Sequence, residues 1–225
     1  MEAQAGSGTR VCRGWQRRSW IGAAVPAFAV LISLPAFGQQ EQPVADRVHS
    51  VNQSIEAYVS GKTIDVQYYR ELRIEGSGAV QAGAGILYNE QRDLVGIFDA
   101  LMYLGDQAHK REIEVSVGTR VFAAFLNQQN EDTLGVGLGG QAEWFFSEKH
   151  RSSLRLSAFY APDILTFGIA NNIRDYAIDL QTRVGSGSSF AFVGFRHLEV
   201  DTVSEAVSGN RELDNEVHVG FRHTF

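Results

Sequence analysis

Cysteine is nearly missing from this chain, which has one, Cys12. That residue lies in an amino-terminal segment marked for removal, so the mature chain would hold no disulfide, thiol nucleophile or thiolate metal site. Stability must then come from packing or from a bilayer. Apolar runs of helical membrane-spanning length are missing beyond Phe37, which excludes a helical membrane protein. Proline is scarce, with 4 residues against 23 glycines. Positive charge is in deficit, with Lys+Arg 20 against Asp+Glu 26. Loss of the first 38 residues removes Arg10, Arg13, Arg17, Arg18 and Glu2, leaving 16 against 25, or −9. An acidic exported chain is a poor nucleic-acid binder. No Gly-rich loop runs into Lys-Ser/Thr, so a phosphate cradle has no support. The mature region has the length of one domain, without an obvious linker or internal duplication.

What is present begins with an export signal over residues 1–38. The four arginines form a positive lead, and an apolar run from Ile21 to Phe37 follows, interrupted by Gly22, Pro26 and Pro35. Ala36-Phe37-Gly38 places small residues where a signal peptidase reads them, which predicts cleavage before Gln39. A membrane-anchoring helix is the alternative, but the run is short of about 20 apolar residues and two prolines break it. No cysteine follows the cleavage site to take a lipid. Residues 39–52 are polar and form a periplasmic lead-in, with residues 53–225 as the body.

The body alternates apolar and polar side chains, the period of a strand with one greasy and one wet face. Gln53–Val59 sets Ile55, Ala57 and Val59 in phase, and Ser60-Gly61-Lys62 turns the chain. Thr63–Arg70 opposes Ile64, Val66 and Tyr68 to Asp65, Gln67 and Tyr69. Ser77–Tyr88 is a Gly/Ala-rich strand of weak phase. Leu94–Leu104 is apolar on both faces and fits a helix as well, but its neighbours favour a strand. Arg111–Phe125 places Ile113, Val115, Val117, Val121, Ala123 and Phe125 against Glu112, Glu114, Ser116 and Arg120. Thr133–Phe146, Ser153–Tyr160 and Ile173–Val184 alternate in the same way. Phe190–Val200 follows with its phase open, since Phe190 and Phe192 lie opposite Val193 and Phe195. The closing stretch carries Val217, Val219 and Phe221 on one face and ends on Phe225.

These segments predict an all-β, transmembrane, antiparallel up-and-down barrel of about ten strands, with eight as the alternative. An even count returns both ends to the periplasmic side. It makes Gly105–Lys110, Ser147–Ser152 and Gly185–Ser188 periplasmic turns. It makes Asn127–Asp132, Ala161–Asn172 and Asp201–Asn215 extracellular loops. Trp144, Phe145, Phe146, Phe190 and Phe225 would then form the periplasmic aromatic girdle, with Phe125, Tyr160 and Tyr176 near the outer one. Val217, Val219, Phe221 and Phe225 read as the insertion signal. The expected partners are outer-membrane lipid and the barrel-assembly machinery. A secreted β-sandwich would alternate too, but strands as long as Arg111–Phe125 exceed the soluble norm of about 5–6 residues.

Tyr160-Ala161-Pro162-Asp163-Ile164-Leu165-Thr166-Phe167-Gly168, Val193-Gly194-Phe195-Arg196 and the ending Leu213–Phe225 resemble the YfaZ-type family of Gram-negative outer-membrane proteins. The first stretch is fairly specific, whereas the other two suit many barrels. The resemblance implies an outer-membrane location and a small barrel. It implies no settled activity, so no catalytic residues carry over.

The lumen candidates are Glu112, Glu114, Arg120, Glu143, Arg155, Asp175, Asp179, Arg183, Arg196 and Arg222. A narrow lumen has room mainly for side chains, and isolated charges there are costly, so a neutralising charge network is expected. A charge-lined path for a small polar solute is the sharper alternative. A barrel-borne hydrolase of lipid or peptide is the third, but it needs a nucleophile beside an oriented His. His197 has no same-face Ser two residues on, and His218 and His223 face opposite sides. No catalytic residue, cofactor or metal site is assigned, and a small-molecule ligand stays unnamed. Asp163, Asp201, Glu205, Glu212 and Asp214 could hold a divalent ion, but solvated loop charge explains them. The sequence thus predicts a structural or interaction role, not an enzyme.

Overall fold

Alternation over so many segments leads to a single closed antiparallel sheet. The computed structural model describes residues 48–74, 78–104, 112–127, 131–146, 152–185, 187–203 and 208–225. The expected export signal over residues 1–38, most of the expected turns at 105–110 and 147–152, and Glu205 lie outside them. In chain order the strands are β1 (Val48–Ser60), β2 (Thr63–Ile74), β3 (Gly78–Asn89), β4 (Leu94–Tyr103), β5 (Ile113–Leu126) and β6 (Glu131–Phe145). β7 (Ser152–Ala161), the short β8 (Thr166–Gly168), β9 (Ala170–Val184), β10 (Ser189–Val203) and β11 (Ser208–Thr224) complete them. Successive strands pair from β1 to β7, β7 pairs with β9, β9 with β10, β10 with β11 and β11 with β1, so the sheet closes into a ten-stranded barrel to which β8 is an added short segment. β8 continues the line of β7, pairing with β6 through Thr133↔Gly168 after a single 3-10 turn at Asp163–Leu165.

Closure has a sequence-local cause. β11 runs to the penultimate residue and pairs with β1 from Ser54↔Thr224 to Ser60↔His218. Gln53 and Phe225 then exchange backbone hydrogen bonds of 3.2 and 2.8 Å, which satisfies groups that a frayed end would leave open. The ring therefore begins at Gln53, while Val48–Asn52 extend β1 beyond it against β2. Both ends of the barrel chain lie at one rim, called here the terminal rim. β2, β4, β6 and β9 end at that rim, whereas β1, β3, β5, β7 and β10 end at the far rim.

The alternating faces are as expected. Ile55, Val59, Ile64, Val66, Leu138, Trp144, Leu156, Ile178, Leu180, Val193, Val217, Val219 and Phe221 point outward and are exposed. Leu94–Tyr103 is a strand, its double apolarity arising because Val95, Ile97 and Leu101 fill the interior while Phe98 and Met102 face out. β10 resolves its phase with Phe190 and Phe192 buried inside and Val193 and Phe195 outside.

Two loop assignments are corrected. Asp201–Asn215 is mostly strand, because β10 and β11 stay paired to Val203↔Ser208 with a bulge near Leu198/Glu199. Polar residues on both faces hid this hairpin, since strand beyond the apolar band has no greasy side. Ala161–Asn172 holds the 3-10 turn, β8 and the start of β9, not a continuous loop. Two girdle residues are corrected as well. Phe190 is buried, with the Arg183 and Arg222 guanidinium groups 5.3 and 4.8 Å from its ring centroid. Phe145 lines an interior cavity at the terminal rim. Trp144 and Phe146 do face out, packed edge to face.

Candidate functional site: the lumen

Inward-facing side chains divide the lumen into three zones. Toward the far rim lies an apolar plug built from Leu87, Val95, Ile97, Phe122, Phe159, Ile173 and Leu198, each at most 1% exposed. Burying such side chains stabilises by roughly 1.5–3 kcal/mol apiece, so the plug is a folding core placed inside the barrel.

Below it lies a charge network that three arginines organise. Arg120 donates to both carboxylate oxygens of Asp99, at 2.7 and 2.9 Å, and to Asp175 Oδ2 at 2.5 Å. Arg196 donates to Asp175 at 2.8 Å twice, to Asp65 at 2.9 Å and to the Tyr58 hydroxyl at 2.6 Å. Arg155 forks onto Glu56 at 2.7 and 2.6 Å and reaches Asp179 at 3.0 Å. Paired fork geometry of this kind fixes direction as well as energy. His218 Nε2 lies 2.8 Å from Asp179 Oδ1, with its ring stacked on Tyr58 at 4.3 Å. Asp214 accepts from Tyr58 at 3.1 Å and from Thr63 at 3.3 Å. The plug and the network touch, because Arg120 lies 4.1 Å from the Phe159 ring centroid.

The third zone is a cavity of about 400 Å3 at the terminal rim. Glu71, Glu114, Glu143, Arg183, Arg222 and Phe190 help line it. Glu143 accepts from Ser153 at 2.5 Å and lies 3.7 Å from Arg222.

Of the residues expected in the lumen, Arg120, Arg155, Asp175, Asp179 and Arg196 meet in the central network. Glu114, Glu143, Arg183 and Arg222 meet instead around the terminal cavity. Glu112 joins neither: it is exposed and precedes β5, where its carbonyl accepts from the Phe145 amide at 2.7 Å. Sequence reasoning missed Glu56, Asp65, Asp99, Tyr58 and His218. Asp65 was visible on the wet face of its strand, and Glu56 sits between the outward Ile55 and Ala57. Asp99 lacked any signal, because its strand is apolar on both sides. Asp214, expected in a solvated loop, is buried on β11. Asp201 accepts from Asn172 at 2.9 Å, and Glu212 from Asn215 at 3.3 Å. Among the described residues no group of three or more His, Cys, Asp or Glu is placed to hold a metal ion. Val217, Val219, Phe221 and Phe225 all lie exposed, at 64, 57, 46 and 60%.

Comparison with protein families, with curated proteins and with solved structures finds no match to this chain.

Proposed function

We propose that this chain is an integral outer-membrane barrel of a Gram-negative cell, with a structural or interaction role and a closed lumen. Its polarity carries the reading. Ion-paired arginines and carboxylates fill the interior while Ile64, Val66, Ile86, Leu138, Ile178 and Leu180 stand on the outer wall. Water penalises such a wall, and soluble monomers rarely expose apolar patches beyond a few hundred Å2. Hydrocarbon removes the penalty, and a closed sheet leaves no unpaired edge in lipid. No helix among the described residues is long and apolar enough to cross a membrane. The export signal, insertion by barrel-assembly machinery and the YfaZ-type resemblance belong to the same proposal.

The plug disfavours a solute channel, since Phe122 and Phe159 are 1% exposed across the lumen. Nor does the proposal include a catalytic step. His218 contacts Asp179 and Tyr58, and no Ser, Thr or Cys is among its hydrogen-bond partners. The Ser189 hydroxyl, 2.9 Å from His223 Nδ1, forms an exposed pair at the terminal rim, with the His223 ring stacked on Phe225.

Fractionation with heat-modifiable gel migration tests the proposal. The chain should pellet with the outer membrane and run differently before and after boiling. Soluble recovery from the periplasm would overturn it.

A further inference from the structure

The cavity at the terminal rim has charge of opposite sign on opposite arcs. Glu71, Glu114 and Glu143 come from β2, β5 and β6, whereas Arg183 and Arg222 come from β9 and β11. Phe190 of β10 lies under both guanidinium groups, at 5.3 and 4.8 Å from its centroid. Holding two cations over one ring gains two cation–π contacts but sets like charges side by side. Glu143 relieves Arg222 alone, at 3.7 Å, and Arg222 Nε is still buried without an acceptor. Among the described residues neither Glu114 nor Arg183 has a hydrogen-bond or ion-pair partner.

Each arc therefore carries charge that its own side chains leave unmatched. An anion would satisfy the arginines and be repelled by the glutamates, and a cation would meet the converse. A molecule carrying both charges satisfies both walls. We propose that this cavity binds a zwitterion of dipeptide size, with its ammonium against Glu114 and Glu71 and its carboxylate against Arg183 and Arg222. The cavity's volume of about 400 Å3 falls within the roughly 300–1,000 Å3 of small-molecule sites. Two residues of extended chain reach about 7 Å, enough to set the charges apart. Guanidinium groups suit the carboxylate end because their planar donors match its two oxygens. The cavity belongs to the barrel itself, so the proposal stands apart from the compartment in which the barrel works.

Calorimetric titration of the folded chain in detergent micelles tests it, with strand content checked by circular dichroism. The probes are alanyl-alanine, its N-acetyl derivative and its carboxyl-terminal amide. Alanyl-alanine should bind saturably, with each blocked form about tenfold weaker, equivalent to about 1.4 kcal/mol. Glu114→Gln should shrink the discrimination against the N-acetyl form while leaving that against the amide, and Arg183→Gln should do the converse. Both residues are exposed, so the variants should fold. Equal affinity for all three probes, or no saturable binding by a folded barrel, would overturn the proposal. A variant that weakened every probe alike would do so too.

Discussion

Asp175 is fully buried and takes hydrogen bonds from Arg120 and Arg196 at once. Replacing it with Asn keeps the shape but removes the charge that both guanidinium groups face. Losing one partner of a buried pair costs about 3–5 kcal/mol, because the other charge stays desolvated. Asp175→Asn should therefore lower the urea midpoint of the folded barrel, while Glu112→Gln at the rim should leave it unchanged. Equal midpoints for the two variants would mean that the network adds little. Gly194 reports on the same network in another way. A methyl group built there would overlap Asp179 Oδ1 and sit 2.8 Å from His218 Nε2. Glycine at this position is thus the space in which the Asp179–His218 pair lies. Gly194→Ala should destabilise by about 1–3 kcal/mol through overpacking. An Ala variant as stable as the parent would show that the pair yields freely.

Among the elements, β11 closes the barrel, and Phe225, which follows it, completes the seam through the Gln53–Phe225 backbone bonds. Deleting Phe225 removes those bonds and an outward ring together. Phe167 on β8 is also exposed, at 57%, but its backbone contact to Thr133 survives a side-chain change. Deletion of Phe225 should reduce membrane-inserted yield more than Phe167→Ala, and equal yields would count against a closing role for the terminal strand. The same elements explain what could be read from sequence. Val115, Val117, Leu156 and Ile178 alternate with polar partners because one face forms the exposed outer wall and the other lines a charged lumen, so β5, β7 and β9 were legible. Arg120 on β5 and Arg155 on β7 were legible for the same reason. β10 was not, because Phe190 and Phe192 can face inward where arginines lie over their rings, and apolarity then ceases to mark the outer face. The β10–β11 hairpin was hidden because its polar residues show no contrast between faces. Glu56 and Asp99 are network members only through strand order, which brings Glu56 of β1 to Arg155 of β7.

For the whole molecule, a barrel with a packed plug should insulate. Conduction needs a continuous wet path, and here two barriers of different chemistry lie in series. The Phe122–Phe159 region excludes water by packing, and the Arg120–Asp99–Asp175 cluster crosses the lumen beside it. The wild-type barrel should therefore give no discrete current steps in planar bilayers once insertion is confirmed. Phe159→Ala should also be silent, because the ion pairs still bridge the interior when the ring is gone. That variant should nonetheless lose about 3–5 kcal/mol of stability, the usual result of emptying a buried Phe site. Silence together with destabilisation would identify the plug as a core that serves folding. Current steps in the wild type would restore the narrow-channel alternative, and steps appearing only in Phe159→Ala would show that the ring alone holds the lumen shut.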